Sequence, residues 1–197
     1  MNTHRERGTA RSPAAPSVDH VAMSFALGNT FSGPVQDRYL GVDPGLNRTG
    51  YAIIVRTEEG PVLEEGGVIS SKGDWPLAER VAEIGRGLAE VIDEFAPEAM
   101  AIEQVFSHGS YPKTAVLMAH ARGAILFAAA ERRVPVVHYT PAQIKRLLTG
   151  SGRADKEQMQ LAVQRELALL EVPEPHDVAD ACAVALCHYY SARLPVA

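Results

Sequence analysis

The chain has 197 residues, 46% of them hydrophobic and 22% charged, with a formal net charge of -5 at pH 7. That is enough apolar sequence for one sizeable core. No run approaches the roughly 20 apolar residues that a membrane-spanning helix needs, and the N-terminal segment lacks the apolar centre of a signal peptide, so a soluble cytoplasmic protein with no membrane partner is expected.

Residues 1–36 are rich in Ala, Ser, Pro, Thr and Gly without periodicity and are expected to be a disordered tail, leaving 37–192 as one folded domain. Strands are predicted over 39–42, 50–55 and 62–70, joined by turns at 44–49 and 58–61, as an antiparallel meander. From Pro76 to Phe95 apolar residues recur at helical spacing until Pro97 ends the pattern. A short strand over 99–104, a helix over 113–132 and a strand over 134–139 follow. Thr140 and Pro141 then supply an N-cap and a first helical residue, and that helix runs to 148. A Gly/Ser loop over 149–155 precedes a helix over 156–170, and a last helix spans 176–192. The order βββαβαβααα implies a mixed sheet flanked by helices, an α/β fold. Cys182 and Cys187, five apart in the last helix, point to different faces and are expected to be buried and reduced.

Charge is distributed unevenly along this chain. Between residues 108 and 165 stand nine basic residues against three acidic ones, a local +6, so the remainder carries -11. An acidic protein with one basic segment can still receive a polyanion on that side, although many such charges are ordinary solvated helix faces.

Two of the predicted strands, LGVD and AMAIE, end on a carboxylate, Asp43 and Glu103. Asp43 stands before Pro44 and Gly45, which is ordinary turn chemistry, but proline also keeps the preceding residue extended. In HDVADACAVAL, Asp177 and Asp180 are three apart in the first turn of the last helix and share a face. Either alone is accounted for by the favourable helix dipole. Together with Asp43 and Glu103 they make four carboxylates beside apolar sequence, where unbalanced negative charge is costly. A hard divalent cation, Mg²⁺, is the expected partner, and two such ions suit phosphodiester hydrolysis. No Cys or His spacing suggests zinc.

The stretches YLGVDPGLNRTGYAII, AIEQVF, ARG and HDVADACAVALCHY resemble the motifs of the RuvC family of Holliday-junction resolvases, over about residues 39–190. The resemblance implies a ribonuclease H-like fold with a mixed five-stranded sheet, and a homodimeric Mg²⁺-dependent endonuclease that cuts four-way DNA junctions. It makes Asp43, Glu103, Asp177 and Asp180 catalytic and metal-binding residues, with two ions per subunit. It places Lys145 and Lys156 near the scissile phosphate and DNA backbone, and Phe106 against a base at the crossover. Arg146 and Arg153 bracket the same Gly/Ser loop and are expected to join the DNA-binding surface. RuvA and RuvB, the branch-migration proteins, are implied as partners. The small residues Ala121, Gly123, Ala124, Ala128 and Ala129 would allow close helix contact across a dimer axis. His176 is either a helix-start residue or an aid to proton and water handling. Alternatives weighed against this are a ribonuclease H-like nuclease with another nucleic-acid substrate, a binding module without activity, and an actin-type ATPase or sugar kinase, whose second domain and Gly-rich nucleotide motifs do not fit this length.

Overall fold

The computed structural model describes residues 18–19, 37–104 and 112–192. Its elements are β1 (Val18–Asp19), β2 (Arg38–Asp43), β3 (Arg48–Arg56), β4 (Pro61–Ser70), α1 (Leu77–Phe95), β5 (Ala99–Glu103), α2 (Pro112–Glu131), β6 (Val136–Tyr139), α3 (Pro141–Thr149), α4 (Lys156–Glu166) and α5 (His176–Ser191). The sheet runs β1-β4-β3-β2-β5-β6. β2, β3 and β4 form the expected antiparallel meander, whereas β5 and β6 lie parallel to β2. The five expected strands are therefore present as a mixed sheet. β1, within the segment expected to be tail, adds a two-residue antiparallel rung on the outer edge of β4.

Strand periodicity divides the core in two, because alternate side chains leave opposite faces. Leu40, Val42, Tyr51, Ile53, Met100 and Ile102 pack with α1 and α2 on one face. Tyr39, Ala52, Ile54, Ala99 and Ala101 pack with α3, α4 and α5 on the other. α1 places Ile84, Leu88, Val91 and Ile92 inward at helical spacing and ends where Ala96 turns left-handed. α3 and α4 each begin with a capping box, made by Thr140 with Gln143 and by Asp155 with Gln158.

One expectation needs correction. α4 stops at Glu166, not near residue 170: Ala168 takes a positive φ of 49°, and Gln164 Nε2 donates to the carbonyls of Leu169 and Leu170 in place of further helical bonds.

α5 is the most deeply set helix, with residues 178–179 and 181–187 all buried. It rests on the sheet almost backbone to backbone. A Cβ added to Gly41 would stand 2.2 Å from the Ala181 carbonyl oxygen and 2.6 Å from the Ala185 nitrogen, and one on Gly50 would stand 2.0 Å from the Asp177 carbonyl oxygen. The far end of α5 is held by Arg56, whose Nε donates to Asp37 Oδ2 at 3.0 Å and Nη2 to the Tyr189 carbonyl at 3.2 Å, with the guanidinium 4.2 Å from the Tyr189 ring centroid. The two cysteines are buried and unbridged.

Because that contact leaves no room for a methyl group, Gly41→Ala is expected to lower the unfolding free energy by about 2–3 kcal/mol. Urea denaturation measures this; an unchanged midpoint would show that α5 does not depend on so close a seat.

Candidate active site

The same alternation that builds the core delivers two carboxylates to one place. Asp43 follows Tyr39 and Gly41 along β2 on the face covered by α5, and Glu103 follows Ala99 and Ala101 along β5 on that face too. β2 and β5 are parallel neighbours with Val42 opposite Ile102, so one residue further on Asp43 and Glu103 stand side by side at the C-terminal ends of their strands. Sites in open α/β sheets collect at such ends. Gly50 pairs with Asp43 across the β2–β3 ladder and lies under Asp177. The first turn of α5 therefore arrives over Asp43, with Asp180 three residues beyond Asp177.

The turn expected of Asp-Pro-Gly is present. The turn after Asp43 is closed by Thr49, whose hydroxyl donates to the Gly45 carbonyl at 2.7 Å and accepts from the Gly45 N–H at 3.3 Å, and by Ser71, whose hydroxyl donates to the Leu46 carbonyl at 2.5 Å. With the turn tied from outside, the Asp43 carboxylate is left to the site.

Electrostatics shows what this arrangement lacks. Burial, followed by the charges of Asp180, Glu103 and Asp177, pushes the Asp43 carboxyl up to about 7, with Lys156 pulling the other way. Glu103 is raised by burial and by Asp180, against Lys145. Asp180 is raised by burial and by Asp177, with Lys156 and His176 opposing. Three carboxyls that hold protons too tightly at one strand edge report a shortage of positive charge. Among the described residues no three acidic, histidine or cysteine side chains form a ready-made cation cage, so these groups act on one another through space. Their chemistry, hard anionic oxygens with charge to spare, fits a divalent cation held with water and phosphate oxygens in its shell.

The structure gathers most of the expected residues. Lys145 on α3 acts on Glu103, and Lys156, the first residue of α4 after the Asp155 cap, acts on Asp43 and Asp180. Arg146 lies beside the Gly/Ser loop, its Nη2 3.7 Å from where a Cβ on Gly152 would be, and Arg153 is exposed in that loop. His176 opens α5 and accepts on Nδ1 from Gln160 Nε2 at 2.8 Å. Phe106 lies outside the described residues.

Two arginines were not among the sequence-derived site residues. Arg122 on α2 donates to the Glu103 carbonyl and to His138 Nδ1, tying the end of β5 to β6 and α2. Arg48 Nε donates to Asp177 Oδ2 at 2.9 Å. The sequence reading leaves Arg48 in the turn before the strand, whereas β3 begins at Arg48 and so puts it on the same face as Gly50; nothing in its local sequence marks its partner 129 residues away.

A family model described as "Crossover junction endodeoxyribonuclease RuvC" matches residues 39–188. A protein of Rhodopirellula baltica with that description is 55% identical over 159 residues, covering 80% of this chain and 88% of its own. Among solved structures, Thermus thermophilus RuvC superposes with a TM-score of 0.73 at 37% identity, covering 79% of this chain and 95% of that one. T. thermophilus RuvC in complex with a Holliday junction substrate gives a TM-score of 0.75 at 38% identity, covering 80% and 96%.

The raised Asp43 carboxyl has a consequence for stability. An unfolded Asp titrates near 3.9, so between about pH 4 and 7 the folded chain keeps a proton that the unfolded chain has released, and stability falls as pH rises through that window. Asp43→Asn, which imitates the protonated form, is expected to unfold about 5–10 °C above the wild type at pH 8 in EDTA and at nearly the same temperature at pH 4. Thermal scans at the two pH values decide it; an equal gap at both would assign the titration elsewhere.

Proposed function

The chain belongs to the RuvC family of crossover junction endodeoxyribonucleases, and from that premise we propose that Asp43, Glu103, Asp177 and Asp180 are its catalytic carboxylates and hold Mg²⁺, two ions per subunit. It is a metal-dependent endonuclease of Holliday junctions, acting in DNA recombination and repair. The observation that carries the site assignment is the convergence of four carboxylates from β2, β5 and α5, three of them raised by burial and by one another and only partly offset by Lys145 and Lys156. Asp43, Glu103, Asp177 and Asp180 would hold Mg²⁺, which would supply an activated water for phosphodiester hydrolysis and charge stabilisation for the leaving oxygen. The chain's own residues fix the geometry of that hydrolysis, which leaves a 5'-phosphate and a 3'-hydroxyl. Asp43 and Glu103 sit at the ends of adjacent central strands, and the α5 pair completes the set from above.

Lys145 and Lys156 flank the carboxylates, where they meet the backbone of the strand to be cut, and Arg146 and Arg153 extend that basic surface along the Gly/Ser loop. Such contacts position DNA without reading its sequence. Phe106 stacks on a base at the crossover in this reading. Family membership also points to RuvA and RuvB as partners and to the cytoplasm as the place of action; among the described residues no helix is long and apolar enough to cross a membrane.

A junction has two equivalent strands to cut, which calls for two sites related by a two-fold axis. α2 supplies a face for that contact: Val116 and Phe127 are 55% and 66% exposed, and Gly123 lies open between them. The exposed side falls within the same helix as Ala121, Ala124, Ala128 and Ala129, of which Ala121, Ala128 and Ala129 are buried against the chain's own core.

With Asp43→Asn, cleavage of a synthetic four-way junction at fixed Mg²⁺ is expected to fall by about two orders of magnitude or more while junction binding survives. Cleavage near the wild-type rate would remove Asp43 from the catalytic set. Phe127→Glu is expected to convert a dimer to a folded monomer in sedimentation runs, and a wild type that stays monomeric on junction DNA rejects the α2 contact.

A further inference from the structure

The carboxylates do not all have the same electrostatic neighbour. Lys145 opposes Glu103, and Lys156 opposes Asp43 and Asp180. Asp177 has a partner of another kind, Arg48, whose Nε lies 2.9 Å from Oδ2 with the arginine side chain 48% exposed and the aspartate 28%. The pairing is imposed by the fold. Gly50 must face α5 because a Cβ there would stand 2.0 Å from the Asp177 carbonyl oxygen, and two residues earlier on β3 Arg48 leaves the sheet on that same side. Its strand position is locked by the ladder that sets Asp43 opposite Gly50 and Arg48 opposite Ser70. The guanidinium engages one carboxylate oxygen through Nε alone, which leaves both Nη groups without a role in that bond.

We propose that Arg48 is the built-in counter-ion of Asp177 in the metal-free protein: it occupies the carboxylate that a divalent cation must take over, and it lowers the repulsion that an incoming phosphate meets before metal is bound. This rests on the reading of the four carboxylates as a metal site. Two physical consequences have opposite signs. A fixed positive charge beside a ligand opposes a dication, so removing it tightens metal binding. The same charge attracts DNA, so removing it weakens metal-free junction binding. A residue that only oriented Asp177 for the metal would weaken metal binding when lost.

The test titrates Mn²⁺ into the full chain and follows the free ion by its paramagnetic resonance, without DNA and without reference to cleavage. Arg48→Gln is expected to bind Mn²⁺ about tenfold more tightly than the wild type, whereas Arg48→Lys, which keeps the charge, stays near the wild type. In EDTA, Arg48→Gln is expected to bind a four-way junction about threefold or more weakly, with a shallower salt dependence. In an Asp177→Asn background the effect of Arg48→Gln on Mn²⁺ binding is expected to shrink, since the pair no longer exists. Thermal unfolding of each variant shows that it is folded under the titration conditions, and Arg48→Lys provides the charge comparison if Arg48→Gln is not. Unchanged or weaker Mn²⁺ binding by folded Arg48→Gln overturns the counter-ion role and leaves the metal site standing. A wild type that binds no Mn²⁺ at millimolar concentrations overturns the metal reading, and this proposal with it.

Discussion

The seat of α5 on two glycines of the sheet is the contact on which the other features depend. Helices usually keep side chains between themselves and a sheet, at a separation close to 10 Å. Here the backbone of α5 meets that of β2 at Gly41 and that of β3 at Gly50. The helix is thereby brought low enough for the carboxylates of its first turn to share space with those that end β2 and β5. A helix raised by even one methyl layer would leave Asp177 and Asp180 above the strand ends instead of among their side chains. The small residues of α5, Ala181 and Ala185, are the matching half of this contact. At the other end, Arg56 ties the helix to β2 through Asp37 and Tyr39. The site end of α5 is accordingly held by close packing and the far end by polar and ring contacts.

So close an approach has an electrostatic cost. The four carboxylates are half-buried, and burial, followed by the charges of Asp180, Glu103 and Asp177, pushes the Asp43 carboxyl up to about 7. Folding tolerates this because positive groups are distributed around the rim: Lys145 from α3, Lys156 from the capped start of α4, and Arg48 from β3. Each cation comes from a different element: Lys145 and Lys156 lie on helices that start at capping boxes, and Arg48 is placed by the register of the sheet. The site therefore combines an anionic floor with a cationic rim. That is the pattern expected where a metal ion and a phosphate backbone must both be accommodated, since the ion satisfies the floor and the phosphate the rim.

The two strand ends are also fastened from outside. Asp43 and Glu103 stand at the ends of neighbouring central strands. The chain beyond Asp43 is fastened by Thr49 and Ser71, and the end of β5 is fastened by Arg122. Such fixed placement suits the ion-holding role proposed for these two carboxylates. The basic residues of α3, α4 and the intervening Gly/Ser loop stand farther out, where adaptation to a backbone is useful.

Periodicity and turn chemistry alone determined much of this protein: the strands and helices in order, the Thr140 cap, the reduced cysteines, and two strands that end on carboxylates. These features are local, and each follows from side-chain pattern within about ten residues. Family motifs added the grouping of Asp43, Glu103, Asp177 and Asp180 and the roles expected of the lysines. Tertiary structure decided the rest. The end of α4 depends on how residues 164–170 turn back on themselves, not on any proline downstream. The roles of Arg48 and Arg122 depend on which atoms lie across the sheet or in the next layer. Both stand inside stretches that resemble family motifs, but nothing in those stretches names the partner, because the information that selects it resides in the strand register and helix seating that bring residues 48 and 177, or 103 and 122, together. A sequence can specify such a contact only through the whole fold, since the Coulomb and hydrogen-bond energies that distinguish it act over a few ångströms of space and not along the chain.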